Sequence, residues 1–350
     1  MEKITVKIFI LCFGIFLFSA CQSCQPKKKQ EELKQQQVSQ KEILELKNNV
    51  NLKILRYEQD VFSLDTADLT SGIARLETVY PDFLIGKNAH QNPELMHDLK
   101  LFITDKNTRD IYLYTQKIFS DITALKVQLE MALSYWLHYF PDEKIPTLIT
   151  MVAGLDPETP SVFPYDNYLI INLDMYMGAD CDIYPKADFP KYISDRLEQK
   201  YIPIHLFTKA LVHKHLPNYL RSNLLENMVY EGKKLIYAEM MLPEMLPQQI
   251  LEYTDDQYEW LEQNIGKIWL HYLDNNILFS TDKNYISGAI QESPFTKPFG
   301  RSCPGRAGSY IGWKIVREYL KNNPEISLQE LLQETDAQKI LSKSKFKPKI

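Results

Sequence analysis

Most of this chain is written at helical spacing, and the exception sets the fold. The runs 147–152 (TLITMV) and 168–173 (YLIINL) are short, apolar and rich in β-formers, and Gly154, Pro157, Pro160, Pro164 and Asp166-Asn167 punctuate the interval between them. They read as paired strands. Residues 52–57 (LKILRY) alternate as a further strand does. Elsewhere apolar residues recur at helical period: over 69–79, with a proline stop at Tyr80-Pro81, from 100 to 140 (Ile111, Leu113, Ile118, Ile122, Leu125, Leu129, Leu133), over 205–236, over 310–320 and over 328–341. Thr254 reads as an N-cap, with Asp255 and Asp256 in the first turn of a helix running through Trp260, Ile265, Trp269 and Leu273. The expected fold class is α+β, mostly helical with a small sheet.

Composition bounds the rest. The chain has 350 residues, 45% hydrophobic and 24% charged, enough to bury a substantial core. One large domain or two small ones would fit, and residues 50–350 are read as a single globular domain. A net charge of -5 excludes the basic face that a nucleic-acid binder shows. Of the five cysteines, Cys12 and Cys21 fall in the N-terminal segment. The scattered Cys24, Cys181 and Cys303 form neither a disulfide framework nor a metal-ligand pattern.

The N-terminus carries an address. Lys3 and Lys7 precede an apolar run over 8–18, broken only by Gly14, and Ser19-Ala20-Cys21 follows. A basic start, a short apolar stretch and small residues before a cut define a secretory signal over 1–20, and the run is short for a membrane span. The cysteine directly after the small residues resembles a bacterial lipobox, with Phe18 where leucine is usual. Cys21 is thus expected to become the first residue and to carry palmitate-type acyl chains. Residues 21–49 are mostly Lys, Gln and Glu and are read as a flexible tether, with some helical tendency in the Glu/Lys part. The globular domain is expected outside the cytoplasm, lipid-anchored in the cell envelope.

The candidate site lies in 205–236. Leu206, Phe207, Ala210 and Leu211 form an apolar face, and His205, Lys209 and His213 recur every four residues. After Pro217-Asn218-Tyr219, Leu224, Leu225, Met228, Gly232, Leu235 and Ile236 form a second stripe with Glu231 at its edge. A carboxylate there is partly buried and requires a partner. Two helices with inward His and Glu resemble a zinc-peptidase core, in which H-E-x-x-H supplies two ligands and a general base and the next helix a third ligand. Aligned on His213, the first ligand position holds Lys209 and the general-base position Ala210. The frame survives without its chemistry, so no catalytic residue, metal or cofactor is assigned. A helical hairpin with incidental histidines reads equally well. Farther on, the Pro/Gly-rich loop 293–309 opens a helix beside Arg301 and Arg306. Arg306 either holds an anion there or reaches a buried carboxylate such as Glu231.

Several segments in one order resemble the GldB gliding-motility lipoproteins: RYEQDVF (56–62), YPDF (80–83), MVYEGK (228–233), LFST (278–281), GSYIGWKIV (308–316) and DAQ (336–338). The resemblance implies an envelope lipoprotein needed for surface gliding, in bacteria whose gliding is linked to a dedicated secretion machine. It implies a non-enzymatic accessory or assembly factor, with envelope proteins of that machinery as partners. The alternatives are a divergent zinc hydrolase using His213, Glu231 and either His205 or His215, and a periplasmic module binding a peptide or glycan. His205, His213, Glu231 and Arg306 are the cleft residues to find.

Overall fold

A computed structural model describes residues 40–48, 50–156 and 158–349. The expected signal, Cys21 and the tether up to residue 39 lie outside these described residues. The first described element is the helix Gln40–Lys47, in the stretch expected as tether. Its Ile43 is buried, and Glu42 reaches His138 at 3.0 Å. No helix among the described residues is long and apolar enough to cross a membrane.

The sheet has four strands in the order β1 (Ile54–Arg56), β2 (Thr147–Met151), β4 (Tyr168–Asn172), β3 (Val162–Tyr165). β1 and β4 run parallel to β2, in register Leu55↔Ile149 and Ile149↔Ile170. β3 closes back on β4 as an antiparallel hairpin at Asp166-Asn167, with Asp166 at φ 49°. The runs are apolar throughout because both faces are covered. Leu148, Leu169 and Ile171 feed one core, whereas Ile149 and Ile170 feed the other. The first core is larger and carries the helices α1 (Thr123–Tyr139), α2 (Leu224–Met241), α3 (Asp255–Asp274) and α5 (Ala307–Asn322). The second is roofed by the helices between residues 57 and 118. A mostly helical α+β fold is what the periodicity predicted.

Several boundaries move. Tyr57 is not the end of a strand but the start of the helix Tyr57–Phe62. The stretch 328–341 is two helices, Leu328–Gln333 and Ala337–Ser344, because Asp336 caps the second through Lys339 N. Thr254 caps α3 as read, with Gln257 completing a capping box.

α2 and α5 cross at two glycines. A Cβ built on Gly312 would stand 1.8 Å from the Met228 carbonyl oxygen, and one on Gly232 would stand 2.4 Å from the Gly312 carbonyl. Backbone meets backbone there, with no side chain between.

At the C-terminal end of β4, Asp174 is fully buried and accepts the amides of Leu155 (2.8 Å) and Ala153 (3.2 Å). These amides fix a loop in which Gly154 (φ 77°) and Leu155 (φ 60°) are left-handed. Burial nevertheless pushes the Asp174 carboxyl up from 3.8 to about 6. Between those values the native state holds the proton more tightly than the unfolded chain, so stability from this group falls as pH rises through that window. The cost reaches about 3 kcal/mol above it. Asp174→Asn is expected to remove this slope. The melting-temperature difference between variant and parent should therefore grow in the variant's favour from about pH 4 to about pH 6. A constant difference would show that the buried carboxyl does not titrate there.

Candidate functional site

The stretch expected as one helix carrying His205, Lys209 and His213 on one row is three short pieces. An α turn (Ile202–His205) passes into a π turn (Leu206–Ala210) and then a 3-10 turn (Leu211–Lys214). Thr208 Oγ1 donates back to the Ile204 carbonyl at 2.8 Å, a bond that bends helices. The wider turn destroys the four-residue row, and the three residues reach three environments. His205 is buried, Lys209 opens into a cavity and His213 lies at the surface.

His205 sits in a buried chain. Its Nδ1 is 2.7 Å from the Tyr176 hydroxyl and its Nε2 is 3.1 Å from Glu252 Oε2. Burial, and after it the charge on Lys209, lowers its pKa, so the ring is neutral near pH 7. A neutral ring satisfies both contacts: the tyrosine O–H donates to Nδ1, and Nε2–H donates to Glu252. Burial alone would raise Glu252, but His205, Arg306 and Lys209 outweigh it and hold the carboxyl well below its usual range. Arg306 reaches Glu252 Oε1 at 3.9 Å and Glu292 Oε1 at 3.3 Å, and its Nη2 donates to the Leu251 carbonyl at 2.8 Å. Arg196 closes on the other Glu292 oxygen. Glu252 (φ 56°) and Arg306 (φ 61°) are both left-handed, a conformation unfavourable for residues with a Cβ. The backbone is strained at both ends of this pair.

In front of this network lies a cavity of about 470 Å³. Its wall combines the π turn, the middle of α2, the end of the helix α4 (Lys283–Ile290) and the start of α5. Glu231 lines it and is held by Lys234 at 2.9 Å, which gives the carboxylate the partner its position requires. Lys209 also lines it and has neither a hydrogen-bond nor an ion-pair partner among the described residues. Burial, with Arg306, Lys234 and Arg196 against the pull of Glu252, lowers its pKa. The side chain still keeps solvent access, because it stands in a concavity.

Three of the four expected cleft residues therefore converge, though not as a metal site. Glu231 and Arg306 line the cavity, and His205 lies behind it through Glu252. His213 does not line it. Of the two readings of Arg306, the carboxylate one describes its contacts, with Glu252 and Glu292 in place of Glu231. Among the described residues no group of three or more His, Cys, Asp or Glu side chains could hold a metal ion, and nothing supports a zinc-peptidase core. His215 is stacked on Phe140, with centroids 3.6 Å apart, and faces Glu143.

Sequence reasoning missed Lys209, which it treated only as a lost ligand, and also Glu252, Arg196 and Glu292. Lys234 had a signal in its three-residue spacing from Glu231. Glu252 had none, since a loop glutamate between two helices carries no pattern.

A family model described as "Gliding motility protein GldB" matches residues 36–348. No curated protein and no solved structure matches the chain.

Proposed function

Since the chain belongs to the family of gliding motility protein GldB, we propose that it serves surface gliding as a lipid-anchored, non-catalytic envelope protein. It works as an accessory or assembly factor, by contact with other envelope proteins. One observation supports the non-catalytic part: the two candidate residues of the peptidase-like frame that come together at the cavity, His205 and Glu231, are already engaged. His205 is neutral, buried and bonded at both nitrogens, and Glu231 is held by Lys234. A general acid or base must reach the proton it moves, and the buried, doubly bonded His205 does not. The anchor is assigned to acyl chains on Cys21, because several chains together exceed the marginal binding of one.

The test is complementation in a gliding strain that lacks its own copy. The full chain is expected to restore spreading and to be crosslinked in intact cells to a fixed set of envelope proteins. Cys21→Ser is expected to leave the membrane fraction and to restore no spreading. Spreading restored by a variant that fractionates away from membranes would remove the anchor from the mechanism. A defined bond cleavage by the purified chain that is lost in Glu231→Gln would end the non-catalytic reading.

A further inference from the structure

We propose that the cavity beside the π turn captures the C-terminal carboxylate of a partner peptide, with Lys209 as its counter-ion. This deepens the contact reading above and rests on it. The charges around the cavity are Lys209, Lys234, Arg306 and Arg196 against Glu231, Glu252 and Glu292. Each carboxylate is already matched: Glu231 by Lys234, Glu252 by Arg306, and Glu292 by Arg306 and Arg196. His205 is neutral and adds nothing. The group left over is the Lys209 ammonium, within the concavity and without a partner among the described residues. A cation in a concavity with no anion in contact draws in a ligand that supplies one negative charge.

The shortfall of a single charge selects the ligand class. A carboxylate brings one, whereas a phosphate dianion would face three carboxylates. The start of α5 lies on the same wall through Ser309, so its positive end reinforces the preference for an anion. Leu235 and Ile290 provide an apolar wall for a terminal side chain, and the Gln291 amide provides polar contact for the peptide group before it. The volume lies within the range of ligand pockets, about 300–1,000 Å³. Capture of a terminal carboxylate is a recurring mode of peptide recognition.

The experiment uses the full-length chain in detergent and two fluorescein-labelled tetrapeptide libraries, randomised at their last two residues. One ends in a free carboxylate and the other in an amide. The acid library is expected to bind at least tenfold more tightly than the amide library. Lys209→Met is expected to lose at least tenfold while still unfolding cooperatively, because Arg306 and His205 continue to hold Glu252. Equal retention of the two libraries, unchanged binding by Lys209→Met, no binding of either library at millimolar concentration, or full competition by millimolar inorganic phosphate each overturns the proposal. If the libraries fail while Cys21→Ser still abolishes spreading and partners are still crosslinked, only the ligand assignment falls. If the partners are also absent, the contact reading falls with it.

Discussion

Gly312→Ala is expected to cost the fold at least about 3 kcal/mol, and Gly312→Val to yield no folded protein at all. A helix interior ordinarily gains about 1 kcal/mol when glycine becomes alanine, so the sign here is set by packing. The new methyl would meet the Met228 carbonyl oxygen at 1.8 Å and its carbon at 2.4 Å. These are backbone atoms of α2, and no rotamer change moves them away. The helices must separate, and the seam between the two longest stripes of the larger core opens along their length. Gly288→Ala is the internal control. It lies in α4 with nothing within 4 Å of a built Cβ and should be neutral or stabilising by up to about 1 kcal/mol. Urea titrations of the three variants decide the matter. If the two alanine variants unfold at the same midpoint, the crossing is looser than its geometry says.

Arg306→Ala is expected to destabilise by about 3–5 kcal/mol, because it leaves Glu252 buried and charged with one cation fewer. Three companions separate the causes. Arg306→Gly deletes the same side chain but relaxes the left-handed backbone, so it should be milder than Arg306→Ala by about 1 kcal/mol. Glu252→Gln added to Arg306→Ala should recover part of the loss, since an amide oxygen still accepts from His205 Nε2 without a charge to bury. The third is pH. Glu252 is held well below the usual carboxylate value of 4.5, so its contribution is fully present above that value and is lost as pH falls through the folded one. Without Arg306 the folded value rises, and the acid limb of the stability profile should move to higher pH. An unmoved acid limb would mean that Lys209 and His205 alone stabilise the carboxylate.

What was legible in the sequence is what short-range chemistry decides. The stripe Leu224, Leu225, Met228, Gly232, Leu235 and Ile236 is buried as its period required. β2 and β4 could be read because runs with both faces covered are apolar at every position. β3 could not: Pro164 argues against a strand unless the strand is an edge, and edge position is a fact of tertiary pairing. The candidate site divides in the same way. Glu231, with its partner one turn on, was visible as a half-buried carboxylate. The pairings of Glu252 with His205 and Arg306 join residues far apart in the chain, and no local pattern encodes them. Two of the GldB-like segments, 228–233 and 308–316, hold the glycines of the α2–α5 crossing, so part of that resemblance is a packing requirement.

The π turn at Leu206–Ala210 is in effect a one-residue insertion absorbed by a helix. An α-helix advances by about 100° per residue, so one residue more or fewer between His205 and Leu211 rotates everything on one side against the other. His205 is pinned by Tyr176 and Glu252 at one end, and Leu211 and Val212 are set in the core at the other. Deleting one residue here is expected to present a different side chain to the cavity. Length in this stretch is therefore a marker of cavity identity.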